Sequence, residues 1–230
     1  MSEQNVWDKL IVALDIGQRE RITAIVNALG SRVQKYKIGL FPFTLFGPDL
    51  VRDLIADGRE IFLDLKMHDI PHTMRNTAAA VTEMGCWAYT VHIKAGPEAL
   101  RAVVEETRLV SARLNRRPPL ILGVTELTST AAAQAQVLDL VGQAVDTGIN
   151  GVVASAQEAA AVRALMQQAG ADMKIVTPGI RGASDAAGDQ KRVATARYAC
   201  AHGSDYIVVG RPIIEASDPS AAARRILYEE

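Results

Sequence analysis

Residues 61–72 read IFLDLKMHDIPH, and the chain's fold is best inferred outward from this stretch. Its first five residues form a short apolar run, which predicts a buried strand over residues 61–65. Charged residues stand within and directly after the run, and Pro71 favours an extended turn at Ile70. A buried strand that ends in charged side chains is typical of a parallel sheet with a polar site at its carboxyl edge.

Seven further runs of this kind recur along the chain, and alanine-rich segments that favour helices separate them. The predicted strands are residues 10–14, 33–38, 61–65, 88–93, 120–124, 151–154, 174–177 and 206–209, and the longer predicted helices are residues 76–84, 98–113, 130–146 and 156–169. Strand starts repeat every 23 to 32 residues, and such alternation implies a parallel sheet. Eight units predict an α/β fold, a (β/α)8 TIM barrel that forms a single domain over residues 1–230.

An open doubly wound sheet is the alternative arrangement of the same units. It usually carries a GxGxxG turn after its first strand. The first run here ends in Asp15-Ile16-Gly17, which lacks that pattern, so the barrel is favoured. No linker marks a domain boundary, and the polar, glycine-rich residues 179–189 predict a loop.

Composition excludes several classes of protein. Lys and Arg total 25 and Asp and Glu total 26, and a net charge of −1 argues against a general nucleic-acid binder. Two cysteines, Cys86 and Cys200, do not make a disulfide framework, and no Cys/His cluster suggests zinc. The N-terminus lacks the apolar core of a signal peptide, and no run reaches the roughly 18 residues of a membrane span. We therefore expect a cytoplasmic protein that binds neither nucleic acid nor membrane.

Two histidines could suggest a metal site. His68 and His72 have the spacing of a ligand pair on one helix face. Pro71 lies between them and opposes a continuous helix. We therefore interpret both as loop histidines and expect no metal there.

Charged residues gather at the ends of the predicted strands, where barrels place their active sites. The first run ends in Asp15, the second ends near Lys37, and the third holds Asp64 and Lys66. Asp64 and Lys66 are two residues apart on a strand, so their side chains share a face. A buried unpaired ion is costly, so these four charges predict a paired network at one mouth of the barrel. The alternative is that each lysine is solvated or belongs to a structural pair.

The last two loops suggest a phosphate site. Gly210 lets a backbone approach an anion closely, Arg211 supplies a planar fork of donors, and Arg181 after Pro178-Gly179 is a second candidate. Barrels often bind phosphate at the loops after strands seven and eight. The alternative for Gly210-Arg211 is a simple turn into a helix.

Together these motifs resemble the orotidine 5′-monophosphate decarboxylase family. Residues 64–73, DLKMHDIPHT, look like its DxKxxDIPxT signature. The other matches, in the family's order, are Ala13-Leu14-Asp15, Lys37-Ile38-Gly39, Thr177-Pro178-Gly179-Ile180-Arg181, Gly188-Asp189-Gln190 and Val209-Gly210-Arg211-Pro212. DxKxxD alone is shared with a wider barrel superfamily, whereas the combination is much more specific. One departure is HIKAG at residues 92–96, where bacterial members have smaller residues and paired glycines after the histidine.

The resemblance implies decarboxylation of orotidine 5′-monophosphate to UMP, the last step of de novo UMP synthesis, without cofactor or metal. It also implies a homodimer with shared active sites. By resemblance, Lys66 donates the proton to C6 of the pyrimidine, and Asp64 lies against the substrate carboxylate. Lys37 and Asp15 complete the charge network and contact the ribose. The remaining implied site residues are Asp69, which is counted as catalytic, Ile70 and Thr73 in the partner subunit's site, Thr128 at the pyrimidine edge, and Pro178, Arg181, Gln190, Gly210 and Arg211 at the phosphate end.

Two rival functions remain. A sister sugar-phosphate decarboxylase shares DxKxxD but resembles a magnesium enzyme with an acidic residue where Lys37 stands. Mg²⁺ takes oxygen ligands and a lysine opposes it, so Lys37 favours the nucleotide enzyme. The second rival is a non-catalytic barrel that binds a phosphate ligand. All four network charges are present, which argues against a degraded descendant.

Overall fold

The computed structural model describes residues 6–126, 134–182 and 194–228. Eight parallel strands close into a barrel in which each strand pairs with the next and β8 pairs with β1. The strands are β1 Leu10–Ala13, β2 Lys35–Gly39, β3 Glu60–Met67, β4 Ala88–His92, β5 Leu120–Val124, β6 Gly151–Val153, β7 Lys174–Thr177 and β8 Tyr206–Val209. This confirms the predicted (β/α)8 barrel, and each predicted strand overlaps an observed one.

Helices alternate with the strands and cover the outside of the barrel. They are α1 Arg19–Leu29, α2 Leu40–Ala56, α3 Pro71–Met84, α4 Pro97–Arg113, α5 Gln134–Val145, α6 Ala156–Gln168, α7 Ala196–Ala201, α8 Arg211–Ile214 and α9 Pro219–Tyr228, with short 3-10 turns at Gly30–Arg32 and Ile93–Ala95. The four predicted helices correspond to α3, α4, α5 and α6, except that residues 130–133 lie outside the described residues. Helix α3 begins five residues earlier than predicted because Pro71 occupies its first turn, where the missing N–H of proline costs nothing.

Apolar side chains fill the barrel interior below its carboxyl end. The buried interior cluster consists of Ile11, Ala13, Phe62, Ala88, Leu122, Val176 and Val208, which come from six strands. Alternate residues of the same strands face the helices and join a larger core that includes Val12, Leu63 and Val209. The packed interior means that the strand ends above it form a floor, on which polar side chains can be held in place.

One strand departs from regular geometry. Strand β3 pairs with β4 through Leu63↔Tyr89 and next through Met67↔Val91, so β3 advances four residues while β4 advances two. Within this irregularity Lys66 has a φ of +52°, a left-handed conformation that is uncommon for residues other than glycine. Such bulges re-aim side chains and occur often beside active sites.

Candidate active site

A cavity of about 530 Å³ opens at the carboxyl ends of the strands. Its volume lies within the usual range for sites that bind small molecules. Its lining residues are Ala13, Asp15, Lys37, Phe62, Asp64, Lys66, Val124, Glu126, Val153, Val176, Pro178, Gly179, Arg181, Val208, Gly210, Arg211, Ile214 and Glu215. Apolar side chains from six strands and from α8 therefore surround a set of charged groups that come mostly from strand ends and the loops after them.

A carboxylate held between two ammonium groups lies at one side of this cavity. Lys66 Nζ is 3.0 Å from both carboxylate oxygens of Asp64, and Lys37 Nζ is 3.2 Å from Asp64 Oδ2. Lys37 comes from β2 and the other two from β3, and the two strands pair here through Gly39 of β2 and Asp64 of β3. The structure thus brings together three of the four charges that the sequence placed in one network.

The fourth predicted charge lies in the same cavity but outside this cluster. Asp15 follows β1 and lines the cavity wall. The ion pairs in the described part of the chain do not include one between Asp15 and either lysine. Its carboxylate is therefore placed to meet a ligand in the cavity.

Thr90 of β4 fixes the arrangement of Asp64 and Lys66. Its buried hydroxyl donates to Asp64 Oδ1 at 3.0 Å and accepts from the backbone N–H of Lys66 at 2.9 Å. One side chain therefore holds both the carboxylate and the irregular backbone beside it. The positive φ of a non-glycine residue costs free energy and persists only where neighbouring groups stabilise it. Here Thr90 stabilises that conformation of Lys66.

The environment of Asp64 keeps it ionised. Burial acts to raise the pKa of its carboxyl group, but the Lys37 and Lys66 ammoniums beside it lower that pKa by more, so the net shift is downward. Opposite charges within hydrogen-bond distance favour the charged form in this way. Asp64 is therefore a buried anion that is fully compensated before any ligand binds.

The residues predicted to bind phosphate that lie in the described part of the chain line the same cavity. Pro178 and Arg181 follow β7, Gly210 and Arg211 follow β8, and all four line the cavity. Arg181 is only 7% exposed, although it lines this cavity. The two arginines after β7 and β8, together with the lysines of β2 and β3, give the cavity cationic groups suited to a ligand with two anionic groups.

Other predicted site residues lie elsewhere. Asp69, Ile70 and Thr73 are exposed and outside the cavity lining, at the turn into α3 and in its first turn. Asp69 Oδ1 accepts a hydrogen bond from the Ile70 N–H at 2.7 Å, which fixes this turn. Thr128 and Gln190 lie outside the described residues, as does most of the predicted loop over residues 179–189.

Three cavity features were missed by the reasoning from sequence. Glu126 and Glu215 line the cavity, and Thr90 supports its floor. Glu126 could have been found, because it lies two residues beyond the end of β5 on the same alternation as the other strand-end charges. Glu215 directly follows α8, and Thr90 lies in the middle of an apolar run, so neither gave a comparable signal.

The histidines near the site are not arranged as metal ligands. The ring of His68 packs against that of His92 with centroids 5.2 Å apart, and burial together with neighbouring His68 lowers the pKa of His92. His72 lies in helix α3 and contacts Asn76 Nδ2 at 3.1 Å, so its interpretation as a loop residue is wrong. Pro71 begins the helix and does not interrupt it. Within the described ranges, no three His, Cys, Asp or Glu residues cluster as a metal site would require.

Comparison with known proteins places this geometry in one family. The sequence profile of the family described as "Orotidine 5'-phosphate decarboxylase / HUMPS family" matches residues 8–226. The chain is 44% identical to the orotidine 5′-phosphate decarboxylase of Syntrophus aciditrophicus and 40% identical to that of Syntrophomonas wolfei, over 97% and 96% of this chain and 93% and 97% of those proteins. Its structure matches that of orotidine 5′-phosphate decarboxylase from Lactobacillus acidophilus with a TM-score of 0.81 at 36% identity, covering 96% of this chain and 98% of that one. The chain therefore belongs to the orotidine 5′-phosphate decarboxylase / HUMPS family.

Proposed function

We propose that this protein is a carboxy-lyase that converts orotidine 5′-monophosphate to UMP and CO2, the last step of de novo UMP synthesis. One observation carries the proposal. Asp64 lies between the ammonium groups of Lys37 and Lys66 on the cavity floor, at distances of 3.0 to 3.2 Å. The curated relatives of this chain bear the name of the same enzyme.

The difficulty of the reaction explains the need for a fixed cation. When the bond between C6 and the carboxylate breaks, its electron pair stays on C6 in the plane of the ring, where the π-system cannot delocalise it. A cation held close to C6 stabilises the developing charge without having to reorganise. Lys66 supplies that cation, and its ammonium can deliver the proton that completes UMP as charge develops.

Asp64 and Lys37 serve the same step by holding Lys66 in position. Lys66 is fixed by both oxygens of Asp64, and Asp64 is held in turn by Lys37 and Thr90. Asp64 also lies where the substrate carboxylate would be crowded before it leaves as CO2, an effect that belongs to ground-state destabilisation. We propose direct decarboxylation through these groups, with no cofactor or metal in any step.

The phosphate end supports the reaction from a distance. Arg181 and Arg211 line the cavity after β7 and β8, and charge-assisted bonds from guanidinium to phosphate are strong and directional. Binding energy from a remote phosphate can be used to stabilise the transition state at C6. We also keep Pro178, Gly210, Thr128 and Gln190 as proposed substrate contacts.

A magnesium-dependent sugar-phosphate decarboxylase is the alternative within the family. Lys37 argues against it, because its ammonium lies 3.2 Å from Asp64 Oδ2, in the space where a cation bound to that carboxylate would lie. An ammonium and Mg²⁺ compete for the same carboxylate oxygen.

An exposed apolar surface beside the mouth supports the proposed homodimer. Leu40, Phe41 and Leu45 on α2 and Ile70 before α3 are each more than half exposed, and they follow the adjacent strands β2 and β3. Clustered exposed apolar side chains mark contact surfaces. We propose that a second copy covers them, so that Asp69, Ile70 and Thr73 reach the partner's cavity.

The dimer is tested by light scattering after size-exclusion chromatography. Ile70→Asp should shift the protein from dimer to monomer, since a carboxylate would be buried in the interface. Leu109→Asp on α4, where the native side chain is 49% exposed, is the matched control and should leave the mass unchanged. A monomeric wild-type protein would contradict the proposal.

The function itself is tested with purified protein, orotidine 5′-monophosphate and excess chelator, by following substrate absorbance and CO2 release. Turnover in chelator supports the metal-free reaction. Activity on a sugar phosphate that appears only with Mg²⁺ would instead support the sister enzyme, and tight UMP binding without turnover would support a binding protein.

Cellular location and macromolecular partners stay predictions from composition. We expect a cytoplasmic protein that binds neither nucleic acid nor membrane. None of the helices in the described part of the chain has the length and hydropathy to cross a membrane.

A further inference from the structure

An ion pair that the proposed mechanism does not use lies at the edge of the cavity. Strands β4 and β5 end in the register pair His92↔Val124, and Lys94 and Glu126 each stand two residues beyond it. Lys94 Nζ lies 2.5 Å from Glu126 Oε1. Matching positions on adjacent strand ends therefore bring the two side chains together.

The two partners face different surroundings. Glu126 lines the cavity and its side chain is 20% exposed, whereas the Lys94 side chain is 47% exposed and lies outside the lining. Among the described residues, Lys94 is the one that forms an ion pair with Glu126. The carboxylate therefore belongs to the cavity wall, and the ammonium supports it from outside.

The charges of the wall show what this support achieves. The described lining contains four carboxylates and four cationic side chains, so its formal charge is zero. Lys94 raises the sum to +1. The proposed substrate carries a carboxylate and a phosphate, and a phosphate group alone has a charge of about −1.5 to −2 near pH 7. Within this set of groups, Lys94 is the charge that turns a neutral wall into an attractive one.

We propose that Lys94 is a positioning residue that sets the affinity of the cavity for anionic ligands by neutralising Glu126. Without Lys94, a partly buried carboxylate would face the anionic substrate with its charge uncompensated, and like charges disfavour each other strongly where solvent is scarce. The inference rests on the proposed function for the identity of the substrate. The predicted change in affinity does not depend on the proposed function, because any ligand that carries a phosphate experiences the same electrostatic field.

Charge complementarity at the cavity wall is expected to change ligand binding more than the rate of the chemical step. Lys94→Met should raise KM for orotidine 5′-monophosphate about fivefold, while kcat stays within about twofold of wild type. The Kd for UMP, measured by calorimetry, should rise by a similar factor. Adding Glu126→Gln to Lys94→Met should restore both constants to within about twofold of wild type, because the uncompensated charge is then gone.

A matched control removes one positive charge elsewhere. Lys174 begins β7 at the other end of the barrel, where its Nζ is 3.5 Å from Asp172 Oδ1. Lys174→Met should leave KM, kcat and the UMP Kd unchanged. Thermal unfolding of each variant shows whether the fold is kept, and a purely structural role for Lys94 would not be rescued by Glu126→Gln.

Two results would overturn the inference. One is an unchanged KM and UMP Kd in Lys94→Met. The other is a loss of affinity in Lys94→Met that Glu126→Gln does not repair. Absence of turnover in the wild-type protein would overturn the proposed function instead, and the calorimetric comparison with UMP would still decide the role of the pair.

Discussion

Replacing Lys66 by methionine should abolish turnover while the barrel stays folded. Lys66 Nζ lies 3.0 Å from each oxygen of Asp64, so a substrate carboxylate placed against Asp64 would bring C6 close to the same ammonium. Two unit charges about 3 Å apart interact by about 5 kcal/mol at an effective dielectric constant of about 20. That amount corresponds to nearly four orders of magnitude in rate.

Loss of the proton donor acts on the same step. General acid catalysis contributes about 10²- to 10⁴-fold, and it overlaps with the electrostatic effect because one ammonium supplies both. We therefore expect kcat of Lys66→Met to fall by at least about 10⁴-fold. The assay follows absorbance of orotidine 5′-monophosphate and CO2 release, and circular dichroism with UMP binding verifies the folded cavity.

Lys35→Met is the matched control for this variant. Lys35 also forms an ion pair with a carboxylate at 3.0 Å, that of Glu60, but at the amino end of the barrel. Its loss can lower stability but should leave kcat unchanged. A Lys66→Met protein with kcat within about tenfold of wild type would refute the assignment of Lys66 as cation and proton donor.

Three further variants test ionisation and packing in the barrel. The pKa of Asp64 lies below its ordinary value of 3.8, so its ionisation stabilises the fold above about pH 4, and that contribution is lost as pH falls through the lowered pKa. Asp64→Asn should therefore flatten the acid limb of the unfolding free energy, measured with urea between about pH 2 and 5. A Cβ on Gly39 would lie 3.3 Å from Lys37 Nζ, so Gly39→Ala should lower kcat/KM about tenfold by displacing that ammonium, without lowering the melting temperature. A Cβ on Gly151 would lie 2.4 Å from the carbonyl oxygen of Lys174, so Gly151→Ala should lower the unfolding free energy by about 2–3 kcal/mol in urea titrations.

Each of these variants has a contradicting outcome. If the unfolding free energy changed with pH equally in wild type and Asp64→Asn, ionisation of Asp64 would not contribute to the pH dependence of stability. Unaltered kcat/KM in Gly39→Ala would show that the Lys37 ammonium tolerates displacement. Gly142→Ala in α5 is the control for Gly151→Ala, because its Cβ would meet no described atom within 4 Å apart from its immediate neighbours and its own helix backbone. It should stabilise the protein by roughly 0.5–1 kcal/mol, and an equal effect of both changes would contradict the packing argument.

The sequence predicted the fold well because strands and helices left different patterns. Apolar runs of four to six residues matched all eight strands, including Leu120–Val124, Lys174–Thr177 and Tyr206–Val209 at their observed bounds. The other five strands differ from their predicted bounds by one or two residues, and the largest differences are the start of β2 at Lys35 and the end of β3 at Met67. The charge of Lys66 marks the end of the apolar run by hydropathy, and pairing of Met67 with Val91 beyond the bulge keeps both residues in the strand.

The site was predictable where charge stood at the end of an apolar run. Asp64, Lys66 and Lys37 were found in this way, and the structure joins them through ion pairs. Glu126 stands two residues beyond the apolar run of β5 and not at its end, so this signal did not include it. Its partner Lys94 lies in a 3-10 turn, and no sequence pattern predicts that such a turn meets the end of β5.

Thr90 shows why the rest of the site needed the fold. Its hydroxyl has one proton to donate and lone pairs that accept, and here it donates to Asp64 and accepts from the Lys66 N–H. The accepted bond holds Lys66 at a φ of +52°, whereas Asn115, the other described non-glycine residue at positive φ, lies in a turn where asparagine adopts this conformation readily. Strand alternation already places Lys66 on the same face as Asp64, and the bulge changes the direction in which its side chain leaves the backbone. The Thr90 hydroxyl on the neighbouring strand holds this irregular backbone beside Asp64. The position of the proposed proton donor, Lys66, is thus set by β3 and β4 together. Residues 61–72 include β3 residues but not Thr90 of β4, so this stretch of sequence alone could not predict it.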